Sequence, residues 1–104
     1  MKNIYFILFL DEVKEFTEKL SDADQGKINA AAMAMEAGDF ESIYIKTLKA
    51  PIKELIIKKY RFIFFIHKNT IYFIRAFIKK TAKTPKNEIN NAQKVCKIIL
   101  ANNK

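Results

Sequence analysis

Cysteine, histidine, glycine and proline are scarce in this chain of 104 residues, and each shortage excludes something. Cys96 stands alone, so no disulfide can form within the chain, and a reducing, cytoplasmic setting is expected. One cysteine and one histidine, His67, cannot assemble a structural zinc site, and nothing in the sequence calls for a metal or a cofactor. With two glycines, two prolines and half its residues hydrophobic, the chain is expected to fold as a single domain over residues 1–104. Long apolar runs are missing too. "IYFILFL" (4–10) is shorter than a membrane span or signal-peptide core, has no small-residue cleavage site after it, and runs straight into "DEVKE". It is expected to be a buried strand, with no membrane partner.

Acids are the other scarcity, on one side only. Residues 1–41 carry nine acids against four lysines, a balance of −5. Residues 42–104 carry thirteen lysines and two arginines against Glu54 and Glu88 alone, a balance of +13. The net charge of +8 therefore hides an acidic part and a strongly basic one. A one-sided cationic surface favours a polyanionic partner, although lysines also solubilise ordinary surfaces. The densest stretch, "FIKKTAKTPKNEI" (77–89), is either a solvated connection or a surface that grips phosphate.

Periodicity orders the chain. Val13, Phe16 and Leu20 recur at helical spacing and predict a short helix over 11–20. Ser21 or Asp22 can cap a second helix that turns Ile28, Ala31, Ala32 and Met35 inward and closes at Gly38. The two form a hairpin with its acids outward. Residues 42–49 are ambiguous between extended and irregular. "IKELII" (52–57), "YRFIFFI" (60–66) and "IYFIRAF" (71–77) read as strands, and their short connections favour an antiparallel meander. "HKNT" suits a turn because asparagine tolerates left-handed angles, whereas "KK" at 58–59 predicts a bulge or longer loop. Thr84 is expected to cap the last helix and Pro85 to open it, with Ile89, Ala92, Cys96, Ile99 and Leu100 in one apolar stripe. The predicted fold is α+β, a small antiparallel sheet packed by an N-terminal helix hairpin and a C-terminal helix. Because "FIFFI" is apolar on both faces, both must be covered, by the last helix, a partner or both. Phe65 and Tyr72 are expected to pack there rather than stack on bases.

A hairpin through "HKNT" whose paired numbers sum to about 137 sets Arg61 opposite Ala76. Arg61 then lies near the loop of Lys79, Lys80 and Lys83, with Lys58 and Lys59 at the same end. His67 sits six residues away, roughly 20 Å along the strand, and is expected as a solvent-exposed turn residue rather than an acid–base catalyst. The same register puts Arg75 on the other face, among Phe62, Phe64, Phe73 and Phe77, where it needs a carboxylate from the acidic helices.

"LKAPIKELII", "YRFIFF" and "IYFIRAFIKKTAKTPKNEINNAQK" together resemble the HigB-like branch of the RelE/ParE toxin superfamily. The resemblance covers about residues 4–100, and residues 77–85 are its most specific part. It implies a RelE-like fold and the toxin of a type II toxin–antitoxin module. Such toxins cleave mRNA on the ribosome, without a metal or small-molecule cofactor, and pair with a helix-turn-helix antitoxin. Position by position, Arg61 matches the arginine of the Tyr-Arg strand, Lys79 and Lys80 the paired lysines, and Lys49 the leucine–lysine pair. For such a nuclease, Arg61 and Lys80 are the candidates to bind the scissile phosphate, Lys49 or Lys80 to transfer a proton, and Lys59, Lys79 and Lys83 to hold flanking RNA or ribosomal RNA. Where the family shows Glu-Leu-Arg this chain has Glu54, Leu55 and Ile56, and it lacks the tyrosine some relatives carry near the C-terminus. A ParE-like gyrase inhibitor, a degenerate toxin that keeps only antitoxin binding, and a simple RNA-binding module stay open as alternatives.

Overall fold

Eight elements follow one another in the computed structural model, which describes residues 4–103. Strand β1 (Phe6–Phe9) leads into helices α1 (Asp11–Glu18) and α2 (Asp22–Glu36). Strands β2 (Tyr44–Thr47), β3 (Lys53–Ile57), β4 (Tyr60–His67) and β5 (Thr70–Ile78) follow, and helix α3 (Lys86–Asn102) comes last. The fold is α+β as expected, and the ambiguous segment supplies β2. The strands form one sheet in the order β1-β5-β4-β3-β2. Strands β2 to β5 are antiparallel, but β1 lies parallel to β5, so the sheet is mixed. A parallel pair needs a long connection, and the elements between β1 and β5 supply it. No helix among the described residues is long and apolar enough to cross a membrane.

The core answers the apolar run in β4. Phe62, Ile63, Phe64 and Phe65 are all buried, on alternating faces. Phe62 and Phe64 join Leu55, Ile71 and Phe73 against Val13 of α1 and Ile28 and Met35 of α2. Ile63 and Phe65 join Ile52 and Ile74 against Ala92 and Cys96 of α3. Phe65 stacks on Tyr72 at 4.9 Å between centroids and is only 1% exposed, so it serves the core. Burial also pushes the Cys96 thiol above its ordinary pKa, which keeps it unreactive.

Several local expectations hold and others do not. The Ser21 hydroxyl caps α2 by accepting from the Asp24 N–H at 3.2 Å. Gly38 ends that helix at φ 77°, and a Cβ there would meet Ile4 Cδ1 at 2.9 Å, so angle and space both require glycine. Pro85 rather than Thr84 occupies the N-cap position of α3, which has no side-chain cap, and the Thr84 hydroxyl donates to Glu54. Ile57 pairs with Tyr60, so Lys58 and Lys59 do form a two-residue turn, with Lys58 left-handed at φ 55°. In the β4–β5 turn Lys68, not Asn69, takes the positive φ of 57°.

A bulge corrects the hairpin register. Ile63 faces Arg75 while Phe64 faces Phe73, which leaves Ile74 as the extra residue of β5. Pairs near the turn keep the expected sum, but beyond the bulge Arg61 faces Phe77 rather than Ala76. The same slip brings Arg75 onto the face of Arg61 rather than the opposite one. Its need for carboxylates is met by Glu88 of α3 at 2.8 Å and Glu12 of α1 at 3.1 Å.

On the helix-hairpin side, Asp24 ties α2 to the β3–β4 turn. Its carboxylate accepts from Lys58 Nζ at 2.7 Å and from the Tyr60 hydroxyl at 2.6 Å. The hydrogen bond from Lys58, then that from Tyr60, holds the Asp24 carboxyl below its ordinary value of 3.8, while the Asp24 carboxylate raises the Tyr60 phenol above 10.0. A depressed carboxyl stabilises the fold at pH values above its unfolded pKa and loses that contribution as pH falls through the folded one. Asp24→Asn should therefore lower the urea midpoint at pH 7, and the gap to wild type should shrink as the pH is taken below about 3.8. An undiminished gap at pH 2 would refute the carboxylate's role.

Candidate functional site

Sheet register builds one row across four strands: Tyr44 faces Ile56, Ile56 faces Arg61, and Arg61 faces Phe77. Residues paired this way share a sheet face, here the one covered by α3. Helix α3 packs chiefly on β5 and β4, so the β2 side of this face stays open. Tyr44 is 78% exposed there, and Ile56 is half-buried.

Arg61 is anchored from its own turn. Its Nη1 donates to the carbonyls of Lys58 at 2.8 Å and Tyr60 at 2.9 Å, while its Nε is buried without a hydrogen-bond partner. Among the described residues no carboxylate pairs with it, because the three ion pairs formed involve Lys58 and Arg75. Its charge is uncompensated at short range.

The loop after β5 runs beside this row. Lys79 N–H donates to the Lys59 carbonyl at 2.9 Å, which extends the β4–β5 pairing past the strand end. Lys80 and Lys83 are exposed and Lys79 is half-buried. The Thr81 hydroxyl donates to the Lys83 carbonyl at 2.7 Å. Thr84 then donates to Glu54 Oε2 at 2.7 Å, and Glu54 is fully buried with Oε1 unpartnered. This hydrogen bond fixes the loop to β3, the strand that carries Ile56.

The other expected residues divide. The Lys59 ammonium lies 5.7 Å from the Tyr60 ring centroid, and Tyr60 belongs to the helix-hairpin side, so Lys59 leans away from Arg61. Lys49 lines a cleft of about 370 Å³ with Leu48, Lys86, Ile89 and Asn90. The Ile52 N–H donates to the Lys49 carbonyl, so Lys49 sits beside Ile52, four residues of chain from Ile56 and so about 13 Å along the sheet. Lys49 and Arg61 thus flank the open area rather than touch. His67 ends β4, far from Arg61 as expected, but it is half-buried with its Nε2 buried and unpartnered, not a solvent residue.

Residues 15–97 match the family model described as "Phage derived protein Gp49-like (DUF891)". The chain belongs to this family. No curated protein is similar enough to count as a match. Among solved structures, this Gp49-like chain is similar to one in the RelB–RelE antitoxin–toxin complex from Methanococcus jannaschii, with a TM-score of 0.60 and 13% identity over 82% of this chain and 96% of that one. It is also similar to one in the toxin–antitoxin complex RelBE2 from Mycobacterium tuberculosis, with a TM-score of 0.59 and 16% identity over 72% of this chain and 98% of that one. The Gp49-like chain therefore has the fold of RelE toxins.

Two features of the site escaped the sequence. Tyr44 lies in the segment that read as ambiguous, and only the register sets it on the row of Arg61. Glu54 is joined to Thr84 across 30 residues, and the one available signal was that a lone acid in a basic stretch needs a partner. Thr84→Val would leave both Glu54 oxygens unpaired in the core and should cost about 1.5–3 kcal/mol in urea unfolding. Thr84→Ser, which keeps the hydroxyl, should cost under about 1 kcal/mol. Equal losses would mean that the bond does not anchor the loop.

Proposed function

We propose that this chain is the toxin of a type II toxin–antitoxin module of HigB-like type, a metal-independent endoribonuclease that cuts mRNA on the ribosome in the cytoplasm and so inhibits translation. The observation that carries the reading is the uncompensated Arg61 guanidinium beside a lysine-rich loop on an open face of a RelE-type fold. RNA contains its own nucleophile. The 2′-hydroxyl attacks the adjacent phosphorus, the bond to the 5′-oxygen breaks, and a cyclic phosphate is left on the upstream piece. The hydroxyl proton departs, and the leaving oxygen gains one. The protein has to align the chain and stabilise charge that builds on the phosphoryl oxygens.

Arg61 and Lys80 take the scissile phosphate, the arginine with its planar donors and the lysine as a point charge. Lys79 and Lys83 hold the flanking backbone, and Lys59, turned toward Tyr60, is better suited to ribosomal RNA than to the scissile linkage. Lys49, across the open area, is assigned to proton transfer. The partner is a helix-turn-helix antitoxin. The neighbouring folds are chains of toxin–antitoxin complexes. Phe6 and Leu8, exposed on the outer strand β1, and Ile4 just before it give an apolar segment of the antitoxin a place to dock, with its acids screening the cations.

Arg61→Ala and Lys80→Ala should each relieve growth arrest and lower mRNA cleavage on translating ribosomes by 100-fold or so, about 2.7 kcal/mol of transition-state stabilisation, without unfolding the protein. A folded double mutant that still arrests growth removes the assignment.

One observation favours a second reading, a degenerate toxin that retains only antitoxin binding: Ile56 stands directly opposite Arg61 where the family motif has arginine. Ile56→Arg would place a second guanidinium on that row and should raise cleavage about tenfold, the effect of one charge-assisted hydrogen bond. Cleavage present only in the Ile56→Arg protein would establish the degenerate reading for the natural chain.

A further inference from the structure

Tyr44 is the largest side chain near the site that the proposed function leaves without a role. It is 78% exposed on the edge strand β2, yet it belongs to the row of Arg61. Two strand spacings, about 10 Å, separate the two residues, with the half-buried Ile56 between them. Lys46, two residues along β2, faces Glu54 on the same side of the sheet, and Lys49 follows. The surroundings are therefore cationic, in contrast to the apolar exposed residues Phe6 and Leu8 on β1, at the far edge of the sheet, and Ile4 just before it. An aromatic face in water beside cations supplies the two contacts that single-stranded nucleic acid takes together, stacking for a base and charge for the backbone.

We propose that Tyr44 is a base-stacking platform that holds an unpaired base next to the phosphate bound at Arg61. The inference rests on the RNA reading above and deepens it by naming a second contact to the strand, an unpaired base stacked on Tyr44. The ring, not the hydroxyl, does the binding. Stacking at Tyr44 and charge at Arg61 fix two points of the strand, and so orient the linkage held by Arg61.

The chain contains no tryptophan, so Tyr44→Trp introduces a single indole at the platform. The probe is a fluorescently labelled, uridine-rich single-stranded RNA at low salt, followed by anisotropy and by indole emission. Wild type should bind it, Tyr44→Phe should bind within about twofold of wild type, and Tyr44→Ala about tenfold more weakly. RNA should quench the Tyr44→Trp emission, whereas polyglutamate, which has charge but no bases, should leave it unchanged. Full affinity in Tyr44→Ala, or equal quenching by polyglutamate, overturns the platform, and weaker binding by Arg61→Ala in the same assay would show that the RNA reading survives. Failure of the wild-type protein to bind the RNA at all overturns both.

Discussion

A strand that is apolar on both sides has to be covered on both sides, and β4 imposes that constraint here. Phe62, Ile63, Phe64 and Phe65 leave no polar face toward water. Each buried side chain of this size contributes about 1.5–3 kcal/mol, so leaving either face of the strand open would cost more than most small domains have to spare. Helices α1 and α2 cover one face, and α3 must cover the other. To reach it from the end of β5, the chain crosses the sheet through residues 79–85. The lysine-rich loop is thus the connection that brings α3 over the core, and it passes beside Arg61 for that reason.

Two polar anchors keep this arrangement from drifting. Below the sheet, Asp24 receives Lys58 and Tyr60, which fixes the β3–β4 turn against α2. Above it, Glu54 receives Thr84 and fixes the loop against β3. Arg61 lies between the two, and its Nη1 reads the carbonyl positions of the turn itself. The guanidinium is held by backbone dipoles, which orient it without cancelling its charge.

Much of this was legible in the sequence because it follows from local rules. The periods of apolar residues gave the three helices and the main strands, Ser21 announced the α2 cap, and the both-sided apolarity of "FIFFI" required a second layer. The RelE-like fold came from the family resemblance, and the ion-paired state of Arg75 from the need of a buried cation for carboxylates, although its expected face was the wrong one. What stayed hidden depends on non-local contacts. The bulge at Ile74 arises where β5 must run past the end of β1, and it alone decides that Arg61 meets Phe77 and shares a face with Arg75. Thr84 looked like a helix cap from its sequence position; the helix begins one residue later, and the Thr84 hydroxyl donates to a buried carboxylate 30 residues away. The tight "KK" turn contradicts the preferences of lysine, and the Asp24 ion pair is what offsets them.

The two arginines show how one sheet face can make one cation structural and leave the other available. Both carry the same permanent charge on the same side of the sheet. The basic part of the chain has only two acids near them, and neither reaches Arg61. Glu88 is taken by Arg75, with Glu12 added from α1. Glu54, although its strand neighbour Ile56 faces Arg61, points its bonded oxygen to Thr84 in the core. Arg61 is left with neutral carbonyls and a rim of lysines, an arrangement that raises the local potential and is relieved by an incoming anion. Where the acids go, more than where the bases lie, leaves this end of the face with its positive charge uncompensated.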